Sequence, residues 1–467
     1  MSIDLSLDRI RKLYTLLPPY TRPTVHIAGT NGKGSVSALV SSILRYANPP
    51  LSVGRFNSPH LVSVYDCIIL NDQEVTAETY ENTRSSIQKL AHKNELEISS
   101  FELLTLTALQ IFEDAQIDIV VMEVGMGGRL DATNVIPDDC IAVSALTAVD
   151  LDHQAFLGNT VSAITREKAA IGRKGKPFVF GKQKHSEVEE VCREVIGRVG
   201  GELLLAAEVS RREWDTSIDG PFPSSSEEFQ PPPQTVTMDL SCFTDAVCAR
   251  LPLYGDHQID NLGLAASVVS VLACHPSCES LKLAERLTMD AVIRGIEAVK
   301  WPGRLSFHVV DSGKLVVLVD GAHNPASAMT LGLFIKDLLH RRPRSRTITL
   351  TYILGLSHSP PKTPTQTLSP LLPPDVGETD VQVQVRVAVL RFSPPEGMPW
   401  VKSIPPSELE AVVKKLCPVA EIWVGQDENT GDLPSALKWA GTGVTGEHLV
   451  VLAGSLYLVA DFYRVMR

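Results

Sequence analysis

The sequence predicts an α/β protein in two parts. Residues 1–300 read as a mostly parallel sheet with a P-loop-type turn, and residues 301–467 as a smaller Rossmann-like α/β unit. Three observations carry this expectation. Strand-length apolar runs alternate with helical patterns, which is the rhythm of βαβ units. A glycine-rich turn follows the first of those strands and opens a helix. A chain of 467 residues also exceeds what one hydrophobic core usually supports.

In order, TVHIAG (24–29) is a continuous apolar strand that runs into SVSALVSSILRYA, a helix-forming stretch. LSVGRF, a helix near Ser100 to Ala115, IDIVVMEVG and CIAVSAL continue the alternation. Functional loops are therefore expected at the carboxyl ends of these strands. A second series starts near Trp301 with KLVVLVDGAHNP and a following helix. It continues through TITLTYILGL, VRVAVLRF, AEIWVGQ and HLVVLAGSLYLVADFYRVM, nearly continuous apolar strands of the doubly covered kind. Asp215–Gln234 and His358–Glu378 are rich in Pro, Ser and Thr, lack periodic apolar residues, and read as surface insertions without chemistry.

Composition narrows the function. Hydrophobic residues at 44% and charged residues at 21% are ordinary for a globular protein. A formal net charge of −11 repels nucleic acid, and the basic run His340–Arg346 reads as a solvated helix end. The eight cysteines lack the regular spacing of a disulfide scaffold, and Cys274 with Cys278 has no second pair to complete a zinc site. The N-terminus carries Asp4 and Asp8 without the apolar core of a signal peptide, and no apolar run reaches membrane-spanning length. A monomeric cytoplasmic protein with no membrane or nucleic-acid partner is expected.

The turn after the first strand is Thr30-Asn31-Gly32-Lys33-Gly34-Ser35. Backbone N–H groups, a lysine and a helix N-terminus are the parts that grip phosphate. The strict GxxxxGK[ST] pattern fails, because Ile27 holds the first glycine position and Gly34 separates Lys33 from Ser35. GTNGKGS in this context resembles the phosphate loop of the Mur ligase superfamily, in the branch of folylpolyglutamate synthase and dihydrofolate synthase.

Further segments carry the same resemblance. Ser58-Pro59-His60-Leu61 is similar to the SPHL segment, which implies a magnesium-binding role for Ser58. Tyr65-Asp66-Cys67-Ile68 departs from the usual Arg-Glu-Arg-Ile that follows. Glu123 ends the strand IDIVVM and precedes VGMGGRLDATN, a close match that implies metal binding by its carboxylate. Leu130, Asp131 and Ala132 fall where the branch meets its pterin substrate, as do Ser99, Ser100, Phe101 and Glu102. Ser99–Glu102 reads equally as a helix N-cap with an acidic first turn. The block from Leu151 to Ile171 implies that His153 binds a second Mg²⁺ and that Lys168 is carbamylated. Asn261 in GDHQIDN implies an adenine-nucleotide contact. Arg304 in WPGR would reach ATP phosphates, and Asp320 and His323 in DGAHNP would belong to the nucleotide site.

The resemblance implies an ATP- and Mg²⁺-dependent ligase with the active site between an ATPase unit and a C-terminal unit. It would join L-glutamate to dihydropteroate through an acyl phosphate, with Lys33, Glu123, His153 and Lys168 as the catalytic set. FSPPEGMPWV (392–401) is similar to fungal dihydrofolate synthases, which favours that activity over extension of a folate glutamate tail. A cell-wall Mur ligase would add an N-terminal UDP-sugar unit, for which the sequence offers no counterpart. A non-catalytic nucleotide-binding regulator would not need Glu123, His153, Lys168 and Arg304 together.

Overall fold

The computed structural model describes residues 6–221, 230–310, 315–341, 347–358, 363–375, 377, 382–394, 401–444 and 447–466. Parts of both Pro/Ser/Thr-rich stretches, Arg342–Arg346 of the basic run and Pro395–Trp400 of FSPPEGMPWV lie outside the described residues.

Eight strands form the first sheet: β1 (Thr24–Ala28), β2 (Val53–Phe56), β3 (Ile68–Leu70), β4 (Gln73–Glu74), β5 (Ile119–Glu123), β6 (Ile141–Leu146), β7 (Pro177–Phe180) and β8 (Glu202–Leu205). Their order is β4-β3-β2-β5-β1-β6-β7-β8. From β2 to β8 the pairing is parallel, while β3 and β4 extend the edge antiparallel. β1 and β5 are buried at every residue, the pattern of a parallel sheet covered on both faces. One face packs on the helices Lys33–Arg45, Asp256–Cys274 and Met289–Glu297, and the other on the helix Ser100–Asp114.

A small antiparallel sheet, β9 (Val209–Arg211), β10 (Gln234–Met238) and β11 (Val247–Leu251), adds to the first core, beyond the strands the sequence pattern marks. The remaining strands are β12 (Ser306–Val310), β13 (Leu315–Val319), β14 (Thr347–Leu354), β15 (Gln382–Val389), β16 (Glu421–Val424) and β17 (Glu447–Ala453). They pair in the order β12-β13-β17-β14-β15-β16, parallel except for the β12 edge. No helix among the described residues is long and apolar enough to cross a membrane.

The two larger sheets meet through side chains. Trp301 packs on Gly34, Leu61 joins the cluster of Val459 and Tyr463, and Arg464 donates to the Val62 carbonyl at 2.9 Å. The loops leaving β1, β2, β5 and β6 all open at the carboxyl edge of the first sheet, toward this junction.

Candidate active site

β1 delivers Gly29 and the turn behind it to the sheet edge. The amides of Thr30 and Asn31 donate to the Ala148 carbonyl at 2.9 and 3.1 Å, and the Thr30 hydroxyl donates to the Asp150 carbonyl at 3.1 Å. The turn is thus pinned to the segment after β6. Gly32 has φ +95, and a Cβ there would lie 2.3 Å from Asn261 Oδ1, so only glycine fits the turn. Asn261 stands on the Asp256–Cys274 helix, steadied by a 3.0 Å hydrogen bond from its Nδ2 to Gln258 Oε1. Asn31, Gly32, Lys33, Gly34, Ser35 and Asn261 therefore converge at the start of the Lys33–Arg45 helix, where backbone N–H groups and the helix dipole favour an anion.

Glu123 is the last residue of β5, and Ile27 of β1 lies beside it in register. Its carboxylate accepts from Asn57 Nδ2 at 2.7 Å and stands 3.8 Å from Lys33 Nζ. Burial raises its pKa, against the opposing pulls of Lys33, Asn57, Arg304 and the Ser58 amide. The Ser58 Oγ beside it is buried without a hydrogen-bond partner among the described residues. An unpaired hydroxyl next to a buried carboxylate and a phosphate cradle fits Mg²⁺, which takes oxygen ligands from one or two carboxylates and from phosphate. No group of three or more His, Cys, Asp and Glu side chains able to hold a metal occurs among the described residues. His153 stands apart in exposure: it opens the Gln154–Leu157 turn with φ +49, about half exposed, 3.5 Å from Asp152.

Lys168, on the Val161–Ala169 helix, is 3% exposed and donates to the Gly29 carbonyl at 2.8 Å. Burial, then the neighbouring Lys33 charge, lowers its pKa from 10.5 to about 7. An amine in this state is a nucleophile near neutral pH.

The two expected pterin segments are built differently. Ser99 and Glu102 form a capping box: Glu102 Oε2 accepts from the Ser99 amide at 2.7 Å, and Ser99 Oγ from the Glu102 amide at 3.2 Å. Ser100 is the first residue of that helix, and Phe101 lies against Gly125 of the loop after Glu123. Asp131 is buried and turned into its own loop. Its Oδ1 accepts from the Thr133 amide at 3.0 Å and hydroxyl at 2.5 Å, and its Oδ2 from the Met126 amide at 2.8 Å. The carboxylate thus braces the glycine loop, between partly exposed Leu130 and buried Ala132.

From the second sheet, Asp320 accepts from the Leu305 amide at 2.9 Å and the Ala322 amide at 2.8 Å, so it ties the WPGR turn to the DGAH turn. Burial raises its pKa, opposed first by Arg304. Arg304 donates to the Gly303 carbonyl at 2.9 Å, and its charge also acts on Glu123 across the junction. His323 Nδ1 pairs with the Gly321 carbonyl at 2.7 Å.

Comparison with known proteins follows the same outline. The family model described as "Dihydrofolate synthetase, C-terminal domain" matches residues 304–465. Dihydrofolate synthetase of Saccharomyces cerevisiae is 34% identical over 473 residues, covering 100% of this chain and 98% of that protein. The chain belongs to the dihydrofolate synthase and folylpolyglutamate synthase family. A Mycobacterium tuberculosis family member, dihydrofolate synthase/folylpolyglutamate synthase, is 33% identical over 350 residues, 70% of this chain and 66% of that protein. The solved folylpolyglutamate synthase of M. tuberculosis complexed with ADP and AMPPCP superposes with a TM-score of 0.74 at 27% identity, over 99% of this chain and 96% of that one. Escherichia coli FolC in complex with DHPP and ADP gives 0.71 at 25% identity, over 100% and 94%.

Against the family resemblance, one further residue emerges from the geometry. Asn57 joins the phosphate-loop helix to the strand-end acid, donating to Ser37 Oγ at 2.6 Å as well as to Glu123. Its position one residue before Ser58 was the only signal in the sequence.

Proposed function

We propose that this chain joins L-glutamate to dihydropteroate with ATP and Mg²⁺, giving dihydrofolate. The observation that carries the reading is Glu123 with the orphaned Ser58 hydroxyl at the mouth of the Lys33 loop. The full-length likeness to yeast dihydrofolate synthetase supports the choice of acid.

A carboxylate resists amines because its oxygen is a poor leaving group. In the proposed reaction the dihydropteroate carboxylate oxygen bonds to the γ-phosphorus as the bond to the β–γ bridging oxygen breaks, releasing ADP. The glutamate amine then attacks the acyl carbon, phosphate leaves with the bonding electrons, and the amine sheds its proton.

Lys33 and the helix N-terminus hold the phosphates, and Arg304 adds charge from the second sheet. Mg²⁺, held by Ser58 and Glu123 with a second ion near His153, would neutralise charge shifting among the phosphate oxygens. Lys168 takes up CO₂ as a neutral amine, forming an N–C bond and losing a proton to become a carbamate anion. Asn261, Asp320 and His323 complete the nucleotide site, and Ser99–Glu102 with Leu130–Ala132 flank the pterin. The reading includes a division into two units near residue 300, supported by the two larger sheets falling on either side.

A second reading, extension of a folate glutamate tail, is favoured by the likeness to M. tuberculosis folylpolyglutamate synthase. Purified protein with Mg-ATP and glutamate separates them. ADP release with 7,8-dihydropteroate alone supports the first, release with tetrahydrofolate alone the second, and no turnover with either leaves a nucleotide-binding regulator.

A further inference from the structure

Arg55 lies on β2, two residues before Asn57 and on the same face of the sheet. Its guanidinium sits over the Trp301 ring, 5.4 Å from the centroid, and the same ring presents its edge carbon Cζ2 to Gly34 of the phosphate loop. Arg55 therefore stands at the junction of the two sheets, one side chain away from the phosphate loop.

What sets it apart is what it lacks. Nε is buried without a partner, and among the described residues Arg55 makes neither a hydrogen bond nor an ion pair. Three carboxylates lie within Coulomb range, Asp72, Glu123 and Asp66, but each is engaged elsewhere. Asp72 pairs with Arg45 at 3.2 Å, and Glu123 accepts from Asn57. Asp66 accepts the amides of Leu61, Val62 and Ser63 at 2.9, 2.6 and 3.0 Å. A guanidinium has five donors, and its desolvation is costly when they stay unmade. Arg386, also buried, is satisfied by contrast: it meets Glu421 and three carbonyls.

We infer that Arg55 is a substrate-binding residue whose open donors receive a carboxylate of one of the two acids being joined. This rests on the ligase reading above. The phosphates already have Lys33, the helix N-terminus and Arg304, whereas no residue yet described takes the carboxylates. The planar fork of arginine matches a carboxylate through two parallel hydrogen bonds. From Asn57 to Ile68, along the connection that leaves β2, the chain has no other Lys or Arg.

The test uses the full chain, Arg55→Met and Arg55→Lys. Calorimetric titration with dihydropteroate, glutamate and ADP is combined with thermal melting and turnover. Arg55→Met should weaken one of the two acids by about 10- to 100-fold, and the acid affected identifies the carboxylate. ADP affinity should not change, Tm should hold or rise, and Arg55→Lys should recover part of the loss. Unchanged affinity for both acids in Arg55→Met, or a fall in Tm with all three ligands weakened together, overturns the inference. A wild-type chain that turns over neither acceptor while Arg55→Met loses an acid sinks the ligase reading alone; one that binds neither acid sinks both.

Discussion

Lys33 and Lys168 meet on one acceptor, the Gly29 carbonyl, at 3.2 and 2.8 Å. Two amines on one oxygen cannot both be comfortable as cations in a buried setting, and Lys168 is the more enclosed of the two. The strand geometry explains the meeting. Gly29 follows β1 directly, Lys33 begins the next helix, and the Val161–Ala169 helix approaches from the β6 side.

Carbamylation of Lys168 is the first prediction. CO₂ adds only to the neutral amine, and with a pKa about 7 that form grows as pH rises through neutrality. Protein stripped of CO₂ should lose activity and regain it with bicarbonate, more completely at pH 8 than at pH 6. Labelled bicarbonate followed by ¹³C NMR checks the adduct. Lys168→Ala should lose turnover by on the order of 10- to 100-fold or more, and undiminished activity would remove the role.

The same residue makes a stability prediction with a definite sign. Without CO₂, folded Lys168 titrates near 7 and the unfolded lysine near 10.5. Between those values the unfolded chain binds more protons, so stability rises with pH. Below pH 7 both states are protonated and the burial penalty is fully present. Lys168→Met should flatten this part of the curve, read as Tm against pH from 7 to 10.5 in CO₂-free buffer.

Asn57 should matter through Glu123. Asn57→Ala removes the 2.7 Å bond to the carboxylate and the 2.6 Å bond to Ser37, leaving the acid held mainly by Lys33. Partners that orient a metal-binding carboxylate typically change metal affinity or activity by about 10- to 100-fold. A Mg²⁺ titration of turnover should show a higher half-saturating concentration for Asn57→Ala, with little change in the glutamate KM. An unchanged Mg²⁺ curve would contradict the assigned role.

Much of this site is legible in the sequence because it sits at strand ends. A turn such as Gly29–Gly32, or an acid such as Glu123, announces itself by following an apolar run. What lies across strands does not. Asn57 reaches Ser37 and Glu123 only once β2, β5 and the first helix are side by side, and nothing local marks it. Asp131 shows a second case: its motif places it with the expected pterin segment, and only the fold shows that the loop's own donors, the Met126 and Thr133 amides and the Thr133 hydroxyl, hold its carboxylate. The β9–β11 sheet went unread because its strands flank a Pro- and Ser-rich stretch that masks their pairing.

Gly32→Ala tests the phosphate loop. The substitution meets strain from φ +95 and a Cβ 2.3 Å from Asn261 Oδ1, so either the turn or the Asn261 side chain must move. The left-handed conformation alone costs about 1–2 kcal/mol for a residue with a Cβ. The rise in Tm that Mg-ADP gives the wild type should shrink sharply in Gly32→Ala, while the ligand-free Tm falls only modestly. An equal nucleotide-induced shift in both proteins would show that the turn does not form the cradle.

Arg386 supplies a test in which stability and activity should separate. It is 4% exposed on β15, with Nε donating to Glu421 at 3.0 Å and Nη1 to the Ala440 and Thr442 carbonyls, each at 3.1 Å. Its guanidinium also stacks on Trp439 at 4.0 Å. Arg386→Met would strand those carbonyls and leave Glu421 without its partner, the costly half of a broken pair. A loss of about 3 kcal/mol in unfolding free energy is expected, softened because Glu421 is half exposed. None of these partners belongs to the loops that hold Glu123, Lys33 or Lys168, so turnover per folded molecule should stay near the wild-type rate at a temperature well below the lowered Tm. Urea unfolding gives the first quantity, and turnover normalised to the folded fraction gives the second. A loss of turnover in fully folded Arg386→Met would mean that the β15–β16 edge is coupled to the site through the second sheet.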